Sequence, residues 1–203
     1  MTRAILLDLG KVIVPFDFTI GYRALQRYSG LTVEQLRERI RDTGLVPRFE
    51  TGLIEPRSFV RELCAALSLP VNYSEFCDIW SSIFSRETLI SDAFLAQLHL
   101  RYPLILVSNT NAIHFEMIRR EYPILRHFDR CILSYEVGAM KPSPSIYRAA
   151  IEAAGCAAEE CFFTDDIPDY VEGARRMGID AVQFQNAVQL EYELRVRGVE
   201  WAG

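Results

Sequence analysis

The apolar positions of this chain follow two kinds of pattern. Short unbroken runs occur at residues 3–8 (RAILLD), 103–108 (PLILVS), 131–134 (CILS), 161–165 (CFFTD) and 180–184 (DAVQF). Runs this short, rich in branched and aromatic residues, read as buried strands. The stretches between them carry helix signals. Ser143 and Pro144 mark an N-cap and a first helical position, with Gly155 as the stop. Residues 169–177 end at Gly178 in the same way. Strands alternating with helices predict a parallel sheet covered on both faces.

Residues 17–87 differ, with four helical candidates and no convincing strand. Thr32 with Gln35, and Asn72 with Glu75, have the spacing of capping boxes. Pro56 suits the first turn of a helix running to about Leu67. The predicted organisation is an α/β catalytic core over residues 1–15 and 88–203, a Rossmann-like parallel sheet, with a small all-helical cap over residues 16–87 inserted after the first strand. Trp80 and the phenylalanines of the insert are expected to form its own core.

Composition narrows the class. With 203 residues, half of them hydrophobic, the chain can bury a large core without disulfide staples. The five cysteines show no CxxC spacing, which predicts neither a zinc site nor a disulfide framework and suits a reducing cytoplasm. A formal net charge of -5 argues against nucleic acid or an anionic membrane as partner. The N-terminal apolar run is broken by Asp8 and Lys11, unlike a signal peptide. No apolar run has the length of a membrane span.

Four points lie just after strands or at helix starts, where an open parallel sheet binds ligands: Asp8, Ser108-Asn109-Thr110, Lys141-Pro142 and Asp165-Asp166. Together they match what phosphoryl transfer needs. A carboxylate can attack phosphorus and form an aspartyl phosphate. A dication must then shield the two anions, and magnesium takes hard oxygen ligands. A lysine and strand-end donors hold the remaining phosphate oxygens.

In this order the four points resemble the haloacid dehalogenase-like superfamily. Its first motif reads here Asp8-Leu9-Gly10-Lys11-Val12-Ile13, its second ends in Ser108-Asn109-Thr110, its third is Lys141-Pro142 and its fourth ends in Asp165-Asp166. The pieces DLGKVIV, SNTNAIH, MKPSPSIY and DDIPDYVEGA, with FETGLI at residues 49–54, are similar to bacterial phosphatases of the α-D-glucose-1-phosphate phosphatase type. The resemblance implies a Mg2+-dependent phosphatase acting on a small phosphorylated metabolite, such as a sugar phosphate. It makes Asp8 the nucleophile and gives Mg2+ to Asp8, the Gly10 carbonyl, Asp166 and Asp165. Ser108, the Asn109 N–H and Lys141 would hold the phosphoryl oxygens. Glu50 and Gly52 would form a cap loop over the substrate, and His114 would face the cleft.

Three positions depart from the pattern, one of them Lys11, where a small residue or asparagine is commoner. Gly10 replaces an aspartate that in most family phosphatases protonates the leaving group, so turnover is expected to fall steeply as leaving-group pKa rises, and Gly10→Asp to flatten the trend. Tyr170 stands where many relatives place Asp or Asn behind the metal. Two rivals follow. A 2-haloacid dehalogenase would attack carbon without metal, but the acid pair at residues 165–166 and the absence of a tyrosine at Gly10 oppose it. A non-catalytic protein that binds a phosphorylated ligand is kept alive by the missing aspartate.

Overall fold

The structure, a computed structural model, describes residues 1–201. Strand β1 (Ala4–Leu7) opens the chain and is followed by five helices: α1 (Phe18–Gln26), α2 (Val33–Asp42), α3 (Leu45–Glu50), α4 (Pro56–Leu67) and α5 (Tyr73–Ser81). The remainder alternates as α6 (Asp92–His99), β2 (Leu104–Ser108), α7 (Ala112–Glu121), β3 (Arg130–Leu133), α8 (Ser134–Val137), α9 (Pro144–Ala154), β4 (Cys161–Asp165), α10 (Pro168–Arg176), β5 (Asp180–Gln183) and α11 (Ala187–Val196).

The five strands pair in parallel in the order β3-β2-β1-β4-β5. Successive side chains of a strand point to opposite faces. Ile5 and Leu7 of β1 therefore pack with α6, α7 and α11 through Leu95, Ile118 and Leu190. Ala4 and Leu6 pack on the other face with α9 and α10 through Tyr147 and Val171. Burying each large aliphatic side chain contributes about 1.5–3 kcal/mol, and β1 carries no polar residue until Asp8.

The insert holds five helices, one more than the four the sequence suggests. The extra one is α3, which starts after Gly44 at φ 63° and carries Pro47 in its first turn, where a missing N–H costs little. Its core is aromatic: Phe49 stacks on Phe59 at 4.2 Å and Phe76 on Trp80 at 5.5 Å. Both capping boxes form, at Thr32 and at Asn72. The chain leaves and re-enters the core side by side, with the Asp17 N–H donating to Ile83 O and the Ser85 N–H to Pro15 O, both at 2.9 Å. All five cysteines are free thiols, and no described helix is long and apolar enough to cross a membrane.

Candidate active site

From β1 the chain winds outward through β2 and β3, then crosses back to β4 and β5. The strand order thus reverses between β1 and β4, and a crevice opens at the carboxyl ends of those two strands. Asp8 follows β1, and Asp165 is the last residue of β4. A buried Lys141, from the turn before α9, lies between them. Its ammonium donates to Asp8 Oδ1 at 2.6 Å, Asp165 Oδ2 at 2.6 Å and the Val107 carbonyl at 2.9 Å. All three of its protons are used.

Charges this deep are tolerated because they neutralise one another. Burial pushes the Asp8 carboxyl up to about 7, with the Lys141 ammonium pulling it down and Asp165 adding to the rise. Burial would lower Lys141, but the two carboxylates hold its pKa above the usual lysine range. Asp165 is fully committed, since its other oxygen, Oδ1, accepts the Ile167 N–H at 2.9 Å. Asp166 is half-buried, and that burial raises its pKa. Oxygens of Asp8, Asp165 and Asp166 lie within 4.8 Å of one another, a set of hard donors that fits a small divalent cation.

Side chains whose roles were not legible in the sequence fix this geometry. The Asn109 amide brackets the Lys141 backbone, donating to its carbonyl at 3.1 Å and accepting its N–H at 2.7 Å. Ser134, fully buried at the start of α8, clamps the loop after β2. Its Oγ accepts the Thr110 N–H at 3.0 Å and donates to the Thr110 carbonyl at 2.9 Å. The only sequence signal for Ser134 is a polar residue ending an apolar run. Ser108 is buried beside them, at the end of β2.

The cap-side residues resolve differently from one another. Glu50 is the last residue of α3 rather than part of a loop. It lines a recess of about 50 Å³ together with Gly10, Ser108, Asn109 and Thr110. Burial pushes its carboxyl up to about 7. Gly52 sits at φ 70°, and a Cβ there would meet the Tyr135 carbonyl oxygen at 2.1 Å, so this glycine lets the insert approach the core. His114 is buried on α7, with Nε2 2.9 Å from the Trp80 carbonyl and Nδ1 3.1 Å from the Asn111 amide nitrogen. Burial lowers its pKa to about 4, so the ring is neutral, with Nε2 the donor and both nitrogens occupied. The Tyr170 ring lies 5.3 Å from the Lys141 ammonium, and Lys11 reaches over the Phe16 ring at 5.2 Å.

Gly10 has a steric reason to lack a side chain. A Cβ there would fall 2.7 Å from Phe16 Cε1. Phe16 is held in turn by Phe18 and Phe84, with ring centroids at 5.0 and 5.9 Å. The space an aspartate would need is occupied by that ring. We expect Gly10→Asp to destabilise the protein by about 1–3 kcal/mol through overpacking. A thermal melt measures this, and Phe16→Leu in the same chain should recover part of the loss. An unchanged midpoint would mean that Phe16 swings away freely.

The reversal of strand order, the acids at its crevice and the helical insert after β1 define a doubly wound α/β protein with an acid-and-lysine ligand edge. The chain belongs to the haloacid dehalogenase-like hydrolase family, whose sequence profile matches residues 3–178. It is 24% identical to the D-ribitol-5-phosphate phosphatase of Bacteroides thetaiotaomicron over 97% of this chain and 98% of that protein. It is 35% identical to the phosphoserine phosphatase of Thermus thermophilus over 87% of this chain and 70% of that protein. A crystal structure of a family enzyme from Bacteroides thetaiotaomicron, in complex with magnesium and inorganic phosphate, superposes with a TM-score of 0.83 at 26% identity. That match covers 92% of this chain and 96% of the other.

Proposed function

We propose that this chain is a magnesium-dependent phosphomonoester hydrolase that works through an aspartyl phosphate on Asp8. The observation that carries this reading is the switch-point triad, with Lys141 locked between Asp8 and Asp165 and Asp166 left half-exposed beside them. Phosphatases among the relatives, and the magnesium and phosphate bound by one family structure, support it. A dehalogenase would have no use for a third carboxylate beside the nucleophile.

Asp8, Asp166 and the Gly10 carbonyl would hold Mg2+, which supplies charge neutralisation between nucleophile and phosphate. Asp165 has both oxygens engaged, which suits it to fixing Lys141 more than to direct ligation. Asp8 Oδ1 is bound to Lys141, leaving the other oxygen to attack phosphorus in line as the ester oxygen departs. Ser108 and the Asn109 N–H receive the phosphoryl oxygens, and the Lys141 ammonium joins them by turning one N–H away from its present acceptors. Water then cleaves the aspartyl phosphate and restores Asp8. Residues 16–87 act as a cap that covers the crevice, and the substrate is a small phosphorylated metabolite.

The test is phosphate release from a panel of monoesters with and without magnesium. A chelator should abolish turnover; turnover that survives would sink the reading. Asp166→Ala should raise the magnesium concentration for half-maximal rate by about tenfold or more. An unchanged midpoint would move the metal away from Asp166.

A further inference from the structure

The recess beside Gly10 does not end at the core. Phe18, Glu50, Ile83 and His114 line both this recess and a second, larger chamber of about 360 Å³ inside the insert. The chamber lies among α1, α2, α3 and α5, and Tyr22, Leu25, Ile40, Val46 and Trp80 form its wall. The recess alone, at about 50 Å³, has little room beyond a phosphoryl group. The rest of an ester held there has a path past Glu50 into the chamber.

Building on the phosphatase reading, we propose that the chamber is the leaving-group site and selects the phosphate ester of an apolar, aryl- or alkyl-bearing alcohol over that of a polyol, with Glu50 guarding the neck. The wall argues for this. A polyol would bring several hydroxyls against aliphatic and aromatic surface, where each loses water without gaining a partner. An apolar alcohol gains by leaving water there. Among the described residues, polar groups without a side-chain partner are few along the chamber: the Trp80 indole, the Glu50 carboxyl, the Tyr22 hydroxyl and the rim guanidinium of Arg37. The Trp80 indole N–H is buried with none, and the Glu50 carboxyl makes no hydrogen bond or ion pair. These groups suit a few oxygens at most, against a wall otherwise aliphatic and aromatic. Arg37 and Arg41 stand on the exposed outer rim, where cations draw in a dianionic ester. Burial keeps a large share of Glu50 uncharged near neutrality, so the neck does not repel the phosphate.

Two esters of primary alcohols with similar leaving groups isolate the effect: 2-phenylethyl phosphate and sorbitol 6-phosphate, assayed with magnesium. The expected result is a kcat/KM at least about tenfold higher for the arylalkyl ester, a preference that Val46→Trp, by filling the chamber, collapses to less than about threefold. Equal or faster turnover of the polyol ester overturns the inference, as does a preference that survives in a folded Val46→Trp protein. Should that variant fail to fold, binding decides. In a Trp201→Phe background Trp80 is the sole tryptophan, and 2-phenylethylphosphonate should shift its emission. No response overturns the assignment. Acetyl phosphate, whose leaving group is small, separates the two levels. Its turnover without an arylalkyl preference defeats this inference alone, whereas no turnover of any phosphate defeats the phosphatase reading and this inference with it.

Discussion

Asp8→Asn should reduce phosphate release by at least about a thousandfold, the scale on which loss of a nucleophile acts. An amide attacks phosphorus poorly and is a weaker magnesium ligand than a carboxylate. The fold should survive, and for a specific reason. Burial holds the Asp8 carboxyl up at about 7, so its ionised form is unwelcome where it sits. An amide of the same shape removes that cost, while Lys141 keeps Asp165 and the Val107 carbonyl as acceptors. The melting temperature should therefore stay level or rise. Function held at the expense of stability is a known signature of active sites. Steady-state rates beside a thermal melt check both halves. Wild-type turnover in the variant would remove Asp8 from the mechanism, and a collapsed melt would make it a structural residue.

The sheet was legible because its strands are buried on both faces, so their apolar runs are unbroken and end sharply at polar residues. β4 ends at Asp165 and β2 at Ser108, each as the runs of the sequence predict. Helix boundaries were legible where caps were chemical, as at Thr32, Asn72 and Ser143. What could not be read depends on distance in the chain. Lys141 is 133 positions from Asp8 and 24 from Asp165, and no local pattern says that one ammonium bonds both. The Ser134 clamp on Thr110 and the ring of Phe16 over Gly10 are of the same kind. Helix α3 was hidden for another reason: with six residues and an internal proline it has almost no period to detect. That single miss matters, since it placed Glu50 on a loop instead of at the end of a packed helix that fixes its direction.

Lys141 should be the most costly residue of the site to remove. In Lys141→Met the side chain keeps most of its length, but Asp8 and Asp165 lose the cation that separates them. Both carboxyls are almost inaccessible to water, at 9% and 0% exposure, so neither can be rescued by solvent. Removing one partner of a buried ion pair costs about 3–5 kcal/mol, because the charge left behind is uncompensated. We expect a loss of that size in urea unfolding, with turnover lost as well. Two readings of the loss are then separable. If Lys141 only filled space, adding Asp165→Asn to Lys141→Met would make matters worse. If it neutralises charge, the second change removes one of the stranded carboxylates and should recover a substantial part of the stability, as a double-mutant cycle reports for coupled neighbours. Turnover would stay absent in both, since the phosphoryl oxygens still lack their cation. Additive losses in the cycle would show that the lysine does not hold this pair together.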